Sequence, residues 1–409
     1  MLSLHPQIER KGPYKCPSCG CQLSDAKDVF FQGQHVLADI TCTCCDVEYY
    51  QTMPIGHGLP FPVSFTKDFQ KSRYSEQVKA WRAQPLLDSM VSSEVFQPPI
   101  EIIRNKNVEK IVWLNCLDAC YGHAFQKLLD AQQYLEMEGW GLIVVVPEGF
   151  LWMIPEGVAE IWVVKAPLAA LNQKITDFDA WVKKELDRFS ETKIGTSPIQ
   201  PDASKVAWTK FLKHPRFDLA RFQKSPLLVT FVWREDRFWH TNALEETLYL
   251  ASKKFKCFGM CKGWFVARQM RHFSRLAQML QKEKEKIQFA MVGLGASGRP
   301  HAMISDHRIP GNSTTGKETS WFPVLASSHV VVGVLGSSML IPTALAASFV
   351  DMVPHHMLEL MGEDIAQPYT DRKSQFLGRF LFGTPSVKQL TKQVLSILNG
   401  YAHFSQTLA

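Results

Sequence analysis

Apolar positions divide the chain into two runs of alternating strand and helix patterns. Residues 111–117 (Ile-Val-Trp-Leu-Asn-Cys-Leu) are almost continuously apolar, as a strand buried on both faces requires, and a loop over 118–123 follows. Over 124–136, Phe125, Leu128, Leu129 and Leu135 fall on one helical face. Strands are predicted at 142–146 and 160–165 and a helix at 177–189. A second run opens at Leu227 with Leu-Leu-Val-Thr-Phe-Val-Trp. It continues with a helix near 267–286, strands at 287–294 and 329–334, and a helix from Ser338 to Phe349. A last helix is predicted over 386–399, capped by Ser386, with Val387, Leu390, Val394 and Leu398 on its apolar face and Gly400 just beyond its end. Strands alternating with helices point to parallel sheets covered on both faces.

Residues 53–105 hold Pro54, Pro60, Pro62, Pro98 and Pro99 and show no sustained strand pattern, although 74–90 has helical character. They read as a connector. Residues 190–225 are polar and include SPIQPDASK, a candidate interdomain linker. The expected organisation is a small module over 1–55, the connector over 56–105, one α/β domain over 106–222 and a second over 223–409.

Composition is that of an ordinary soluble protein, 46% hydrophobic and 21% charged. No apolar run reaches the roughly 18 residues of a membrane span. The opening MLSLHPQIERKG lacks the apolar core of a signal peptide, so a cytoplasmic protein is expected. A net charge of +6 does not demand nucleic acid and suits a phosphate-bearing small ligand equally well. The KEKEK stretch at 282–286 reads as a solvated helix face.

Of the ten cysteines, Cys16, Cys19, Cys21, Cys42, Cys44 and Cys45 lie within the first 45 residues. The pairs Cys16–Cys19 and Cys42–Cys45 each present two thiolates from one tight turn, and four thiolates suit tetrahedral Zn²⁺. Cys21 and Cys44 are alternative ligands. Two apolar segments around Gly33 suggest a β-hairpin between the knuckles. So short a module needs the metal to fold, and a Cys₄ set leaves no open position for catalysis. Such ribbons bind proteins, nucleic acids or their own neighbouring domain. Phe30, Phe31, Tyr49 and Tyr50 have few Lys or Arg neighbours, which disfavours RNA.

Three glycine patterns compete as phosphate sites. Gly293-Leu-Gly-Ala-Ser-Gly298 satisfies GxGxxG, but no helical period follows it, so the dinucleotide reading is weak. Gly311-Asn-Ser-Thr-Thr-Gly-Lys317 has Glu318 where a P-loop needs Ser or Thr, and reads as a surface loop. The strand ending Val334-Leu335 leads into Gly336, Ser337 and Ser338 and then an apolar helix. Small residues there let main-chain amides approach an anion. The plain alternative is a tight turn inside the core.

From residue 226 onward, the order of segments resembles the C-terminal domain of two-Rossmann (GT-B fold) glycosyltransferases. The matching pieces are Phe231-Val-Trp-Arg-Glu-Asp-Arg237, Phe289-Ala-Met-Val-Gly-Leu-Gly295, Glu318-Thr-Ser-Trp321 and Val331-Val-Gly-Val-Leu-Gly-Ser-Ser338. The resemblance implies two Rossmann-like parallel-sheet domains facing a cleft, a nucleotide-sugar donor held by the second, and no catalytic metal. It implies donor contacts from Arg234, Arg237, Gly293, Gly295, Glu318, Gly336, Ser337 and Ser338, with Asp306 and Arg308 as weaker candidates. Either arginine is also suited to a simple ion pair with Glu235 or Asp236. The first domain would supply a general base for the acceptor hydroxyl, and Asp118 and His123 stand at the carboxyl end of a strand, where such sheets place ligands. Asp118 as a helix cap is the bland alternative. Cys116 and Cys120 carry no accompanying oxyanion-hole signature, and Cys257 and Cys261 read as core or loop thiols. Leu335 stands where the family commonly has His, so a non-catalytic binding protein on the same fold, using the ribbon to hold a protein partner, is the second expectation.

Overall fold

The computed structural model describes residues 2–3, 15–22, 25–197, 206–310, 317–358 and 376–407. Residues 198–205 of the expected linker (190–225) and residues 311–316 of the P-loop-like segment lie outside the described residues. The described part of that linker is corrected, since it holds a strand of the first sheet, Glu191–Ile194, and a helix, Trp208–Leu212. Contacts divide the chain into two compact units, Met1–Pro201 and Asp202–Ala409. The protein is mixed α/β, with a parallel sheet in each unit and an antiparallel ribbon at the N-terminal end.

In the first unit the strands are β1 (Leu2–Ser3), β2 (Ala26–Phe31), β3 (Val36–Thr41), β4 (Glu48–Thr52), β5 (Ser64–Thr66) and β6 (Ser72–Arg73). Then come β7 (Ile100–Arg104), β8 (Lys110–Asn115), β9 (Gly141–Pro147), β10 (Glu160–Val164) and β11 (Glu191–Ile194). β2 to β6 form an antiparallel meander in chain order, and its first hairpin turns at Gly33 as expected. The other sheet runs β1-β11-β8-β9-β10-β7, parallel except for β7. The stretch read as a connector therefore supplies β5, β6 and β7. They are two to five residues long, too short to show a period.

The ribbon is not a free arm. Phe31 meets Trp113 of β8 edge-on at 4.8 Å, Trp113 meets Trp162 of β10 at 6.3 Å, and all three are fully buried. The apolar face of the hairpin is thus used up on the neighbouring sheet, joining metal module and parallel sheet in one core.

The second unit holds β12 (Leu228–Trp233), β13 (Gln288–Gly293), β14 (Ile304–Asp306), β15 (Val330–Val334), β16 (Phe349–Val353) and β17 (Gly378–Phe382). All pair in parallel, in the order β14-β13-β12-β15-β16-β17. Counted from β12 this is 3-2-1-4-5-6, the order of doubly wound nucleotide-binding sheets.

Three helix expectations are corrected. The helix placed over 338–349 is a 3₁₀ turn, Ser337–Met339, and a short helix, Leu340–Leu345; Phe349 already belongs to β16. β16 is an almost wholly buried central strand, and its apolar run blends with the Leu- and Ala-rich helix before it. The helix expected at 267 begins at Phe258 and runs to Glu283, preceded by an unexpected helix, Ala243–Lys254. The terminal helix, Val387–Thr407, passes through Gly400. A Cβ at Gly400 would lie 3.2 Å from Phe376, while Tyr401 stacks on Phe222 at 3.9 Å and rewards the continuation.

Trp113→Ala would open a large cavity between ribbon and sheet. It should destabilise the protein by about 3–5 kcal/mol, read as a lowered denaturant midpoint; a loss under about 1 kcal/mol would mean the two sheets are not one core.

Candidate functional site

The two cysteine knuckles have matching geometry. Cys16 N–H donates to the Cys21 carbonyl and Gly20 N–H to Cys16; Cys42 N–H donates to Val47 and Asp46 N–H to Cys42. Gly20 and Asp46, each four residues past the first cysteine of its pair, both adopt left-handed φ, 76° and 57°. The Sγ atoms of Cys16, Cys19, Cys42 and Cys45 all lie within 4.8 Å of one another, with Cys19–Cys42 at 3.5 Å and Cys16–Cys45 at 3.8 Å. A tetrahedron with Zn–S bonds of 2.3 Å has edges of about 3.8 Å. The donor set therefore fits a metal ion of the zinc type, and Cys21 and Cys44 stand outside the quartet.

At the carboxyl edge of the first sheet, β8 lies between β9, to which the chain passes next, and β11, to which it returns after β10. The loop after β8 holds a compact charged cluster. Lys127 Nζ lies 2.9 Å from Asp118 Oδ2 and donates to the Leu117 carbonyl at 2.8 Å, while His123 Nδ1 lies 3.3 Å from Asp118 Oδ1. Asp118 also accepts the Cys120 N–H at 3.0 Å, an Asx turn just ahead of the helix Tyr121–Leu129. The N-cap of that helix is Cys120 and no side chain caps it, so the capping role is not the one Asp118 takes. Gly56, at φ 56°, leaves the passage through which Lys127 reaches the cluster; a Cβ there would sit 2.7 Å from its Cε. His57 packs against His123 with centroids 4.1 Å apart. Trp81, about half exposed on a single π-helical turn (Lys79–Ala83), meets His57 edge-on at 4.9 Å.

Burial alone would raise the Asp118 carboxyl, but Lys127, His123 and the Cys120 amide hold it well below the carboxylate range. Burial would lower His123, yet Asp118 and Cys120 raise it to about 9, so it is an imidazolium at neutral pH. Burial, followed by the charge on His123, pulls His57 down to about 2 and keeps it neutral. Asp130, buried and accepting the Ser197 hydroxyl at 2.5 Å, is pushed up by burial to about 7. The ribbon hairpin supports this loop. Asn115 Nδ2 donates to the Gly33 carbonyl at 2.8 Å, and Ala119 N–H to Gln34 Oε1 at 2.9 Å. Sequence reading placed Asp118 and His123 here but missed Lys127, His57 and Trp81. The four-residue spacing of His123 and Lys127 on one helix was the available signal; nothing local marked the other two.

In the second unit, Arg234 follows β12 and the Gly336 turn follows β15. Arg234 binds both Asp236 oxygens, at 2.9 and 2.6 Å, and donates to Ser338 Oγ at 3.0 Å; Arg237 donates to the Leu335 carbonyl at 2.9 Å. The ion pair considered for Arg234 therefore forms. A Cβ on Gly336 (φ 139°) would lie 2.3 Å from Arg237 and 2.7 Å from Arg234. The expected cradle of bare amides is corrected: two guanidinium groups cover the turn, and an anion would meet side-chain cations first. Gly293 abuts the Trp233 backbone and Gly295 the Glu235 carboxyl, so both serve the β12–β13 seam, and no helix opens after them. Glu235 accepts from Ser297 N–H and pairs with Lys262; despite burial, these partners hold it down at about 2. Arg308 binds Asp306 and the Ser297 and Gly298 carbonyls, bracing the same loop. Glu318 lies in the 3₁₀ turn Lys317–Trp321, and among the described residues no contact joins it to the arginines. Also on this edge, Glu246 bridges His355 (2.6 Å) and His356 (3.3 Å), a pairing unmarked in the sequence.

No protein-family model and no curated protein matches the chain. Among solved structures it is similar to E. coli heptosyltransferase WaaC with ADP, at 14% identity over 72% of this chain and 98% of that one, with TM-score 0.34. It is also similar to a putative UDP-N-acetylglucosamine 2-epimerase from Listeria monocytogenes, at 10% identity over 72% and 89%, TM-score 0.32. A third is the Glycosylation Associate Protein (Gap123) complex from Streptococcus agalactiae, at 8% over 98% and 80%, TM-score 0.30. Likenesses this faint say nothing of substrate or activity.

Two outcomes follow from the geometry. Elemental analysis should find about one zinc per chain. Cys42→Ser should abolish that stoichiometry and cost on the order of 3 kcal/mol, a fall in Tm of about 6–12 °C; full stability with no metal would refute the site. His123 should titrate near 9 by NMR, and Asp118→Asn should move it towards 6.5. Because its folded value is raised, its stabilising contribution is complete below pH 6.5 and is lost as pH rises through 9. The urea midpoint should fall across that window in the native protein and much less in Asp118→Asn.

Proposed function

We propose that the chain is a glycosyltransferase taking a sugar from a nucleoside-diphosphate donor held by its second unit. The observation that carries this reading is the convergence of Arg234 and Arg237 on the Gly336 turn, where the 3-2-1-4-5-6 sheet changes direction. A departing diphosphate gains negative charge as the glycosidic bond breaks. Two guanidinium groups in a half-buried site offset that charge without a metal at the reaction centre. Donor oxygens take over from Asp236 as partners of Arg234, while Ser337 and Ser338 add hydroxyl donors and Glu318 reaches the ribose. Gly293 and Gly295 keep the neighbouring loop close to the site. A dinucleotide fingerprint belongs after the first strand, and β12 is followed instead by Arg-Glu-Asp-Arg.

In this reading Asp118, fixed by Lys127, is the unprotonated group that faces the acceptor hydroxyl, and His123, already an imidazolium, orients it rather than acting as the base. The zinc is structural. None of the ten cysteines forms a disulfide, which suits a reducing, cytoplasmic setting. A second reading, a non-catalytic nucleotide-binding protein with a protein partner on the ribbon, has one observation in its favour. Leu335 is buried against Val353 and Met357, so the residue standing where the resembling family commonly has His is an apolar core side chain.

A thermal-shift panel of UDP-, GDP-, ADP- and CMP-sugars tests the donor site. One diphosphate sugar at 100 times its Kd should stabilise the protein by about 2.7 kcal/mol, an effect lost in Arg234→Ala; silence across the panel removes the proposal. Slow hydrolysis of the stabilising donor separates the transferase from the binding protein.

A further inference from the structure

The second unit carries an apolar, cationic tip for which nucleotide binding has no use. From Thr247 to Lys282 the sequence contains eight Lys or Arg and no Asp or Glu. Inside this stretch the helices Ala243–Lys254 and Phe258–Glu283 meet in a tight turn, and residues 253–264 read KKFKCFGMCKGW. Phe255 is 74% exposed, Met260 90% and Trp264 45%. Leu244 and Leu248 precede Phe255 at helical spacing on the first helix and are exposed at 69% and 46%. A Cβ on Gly259 or Gly263 would meet nothing within 4 Å, so the start of the second helix is open to close approach. Phe255 and Met260 beside one exposed turn, with Trp264 one helical turn on and Leu248 and Leu244 leading back along the first helix, mark a contact surface rather than ordinary scatter.

Charge selects the partner. Lys253 lies 3.8 Å over the Phe258 ring, and Lys254 and Lys256 flank Phe255 at the surface. From Thr247 on, aromatic and aliphatic residues are interleaved with lysine and no acid, and Glu245 and Glu246 just before are buried in ion pairs, so the exposed face has the pattern of segments that lie in a bilayer interface. Nucleic acid would use the lysines but gain nothing from Met260, Leu244 or Leu248. Among the described residues no helix is long and apolar enough to cross a membrane, so contact through this tip is peripheral.

We propose that this helical turn docks the second unit on an anionic phospholipid surface. Phe255, Met260 and Trp264 enter the headgroup–acyl boundary, and the lysines meet lipid phosphates. Lys262 pairs with Glu235, two residues past β12, so the tip stands on the same edge as Arg234 and Gly336. Docking would present that edge to molecules held at the bilayer. The proposal does not depend on the glycosyltransferase reading.

Co-sedimentation of the full chain with phosphatidylcholine vesicles, with and without 30% phosphatidylglycerol, tests it. The native protein should sediment with the anionic vesicles only, and raised salt should weaken binding. Lys254→Glu/Lys256→Glu and, separately, Phe255→Ser/Met260→Ser should each lower the partition coefficient about tenfold or more. All four side chains are exposed, so unchanged Tm values would show that the variants fold. Absence of binding to anionic vesicles overturns the proposal. So does binding that survives the apolar pair of substitutions. Binding to duplex DNA or heparin but not to vesicles overturns it in favour of a polyanion site.

Discussion

The parallel pairing of β12 with β15, Val229 beside Val330 and Phe231 beside Val332, is the constraint on which the second unit depends. From β12 the chain goes to one side to build β13 and β14, then returns to the other side for β15 to β17. The connections diverge from that seam, and adjacent strands lie only about 4.8 Å apart. The residues just beyond the two strands must therefore be neighbours. Arg234 and Gly336 come together for this reason, though 102 positions separate them (336 − 234). The β8 and β11 ends in the first unit obey the same rule, which is why the Asp118 loop and Ser197 belong to one neighbourhood.

What the sequence disclosed follows from how local each feature is. The metal quartet was legible almost completely, because each knuckle needs only four residues and a turn. Strands β8, β9, β12, β13 and β15 were legible as apolar runs between loops. β5 and β6 were not, since three or two residues carry no period, and β16 merged with the helix before it because both are apolar. Asp118, His123, Arg234 and Arg237 could be picked out as polar residues just past strand ends. The electrostatic state of Asp118 could not: it depends on Lys127, one helical turn past His123, in a pocket closed by His57, which only the folded path of residues 53–105 delivers. Glu246 with His355 and His356, 109 and 110 positions away, lies beyond any local signal.

The two edges handle charge differently. In the first unit one buried carboxylate, Asp118, is shared between Lys127 and His123. Removing Asp118 would leave the buried Lys127 ammonium without its counter-charge, the costly case. In the second unit Arg234 faces Asp236, whose side chain is largely solvent-exposed. That pairing is open to solvent on its carboxylate side, unlike the Asp118 cluster. The first edge therefore encloses its charges, while the second leaves one member of its ion pair at the surface.

The hairpin that begins at the metal knuckles ends in Gly33 and Gln34, which grip Asn115 and Ala119 around the Asp118 loop. The cysteine quartet and the charged loop are far apart in sequence but lie at the two ends of one hairpin, so a metal held by the four thiolates would splint side chains it never touches. Whatever loosened that hairpin at its cysteine end would be felt at the Asp118–His123 pair through Gly33 and Gln34, without anything entering the pocket.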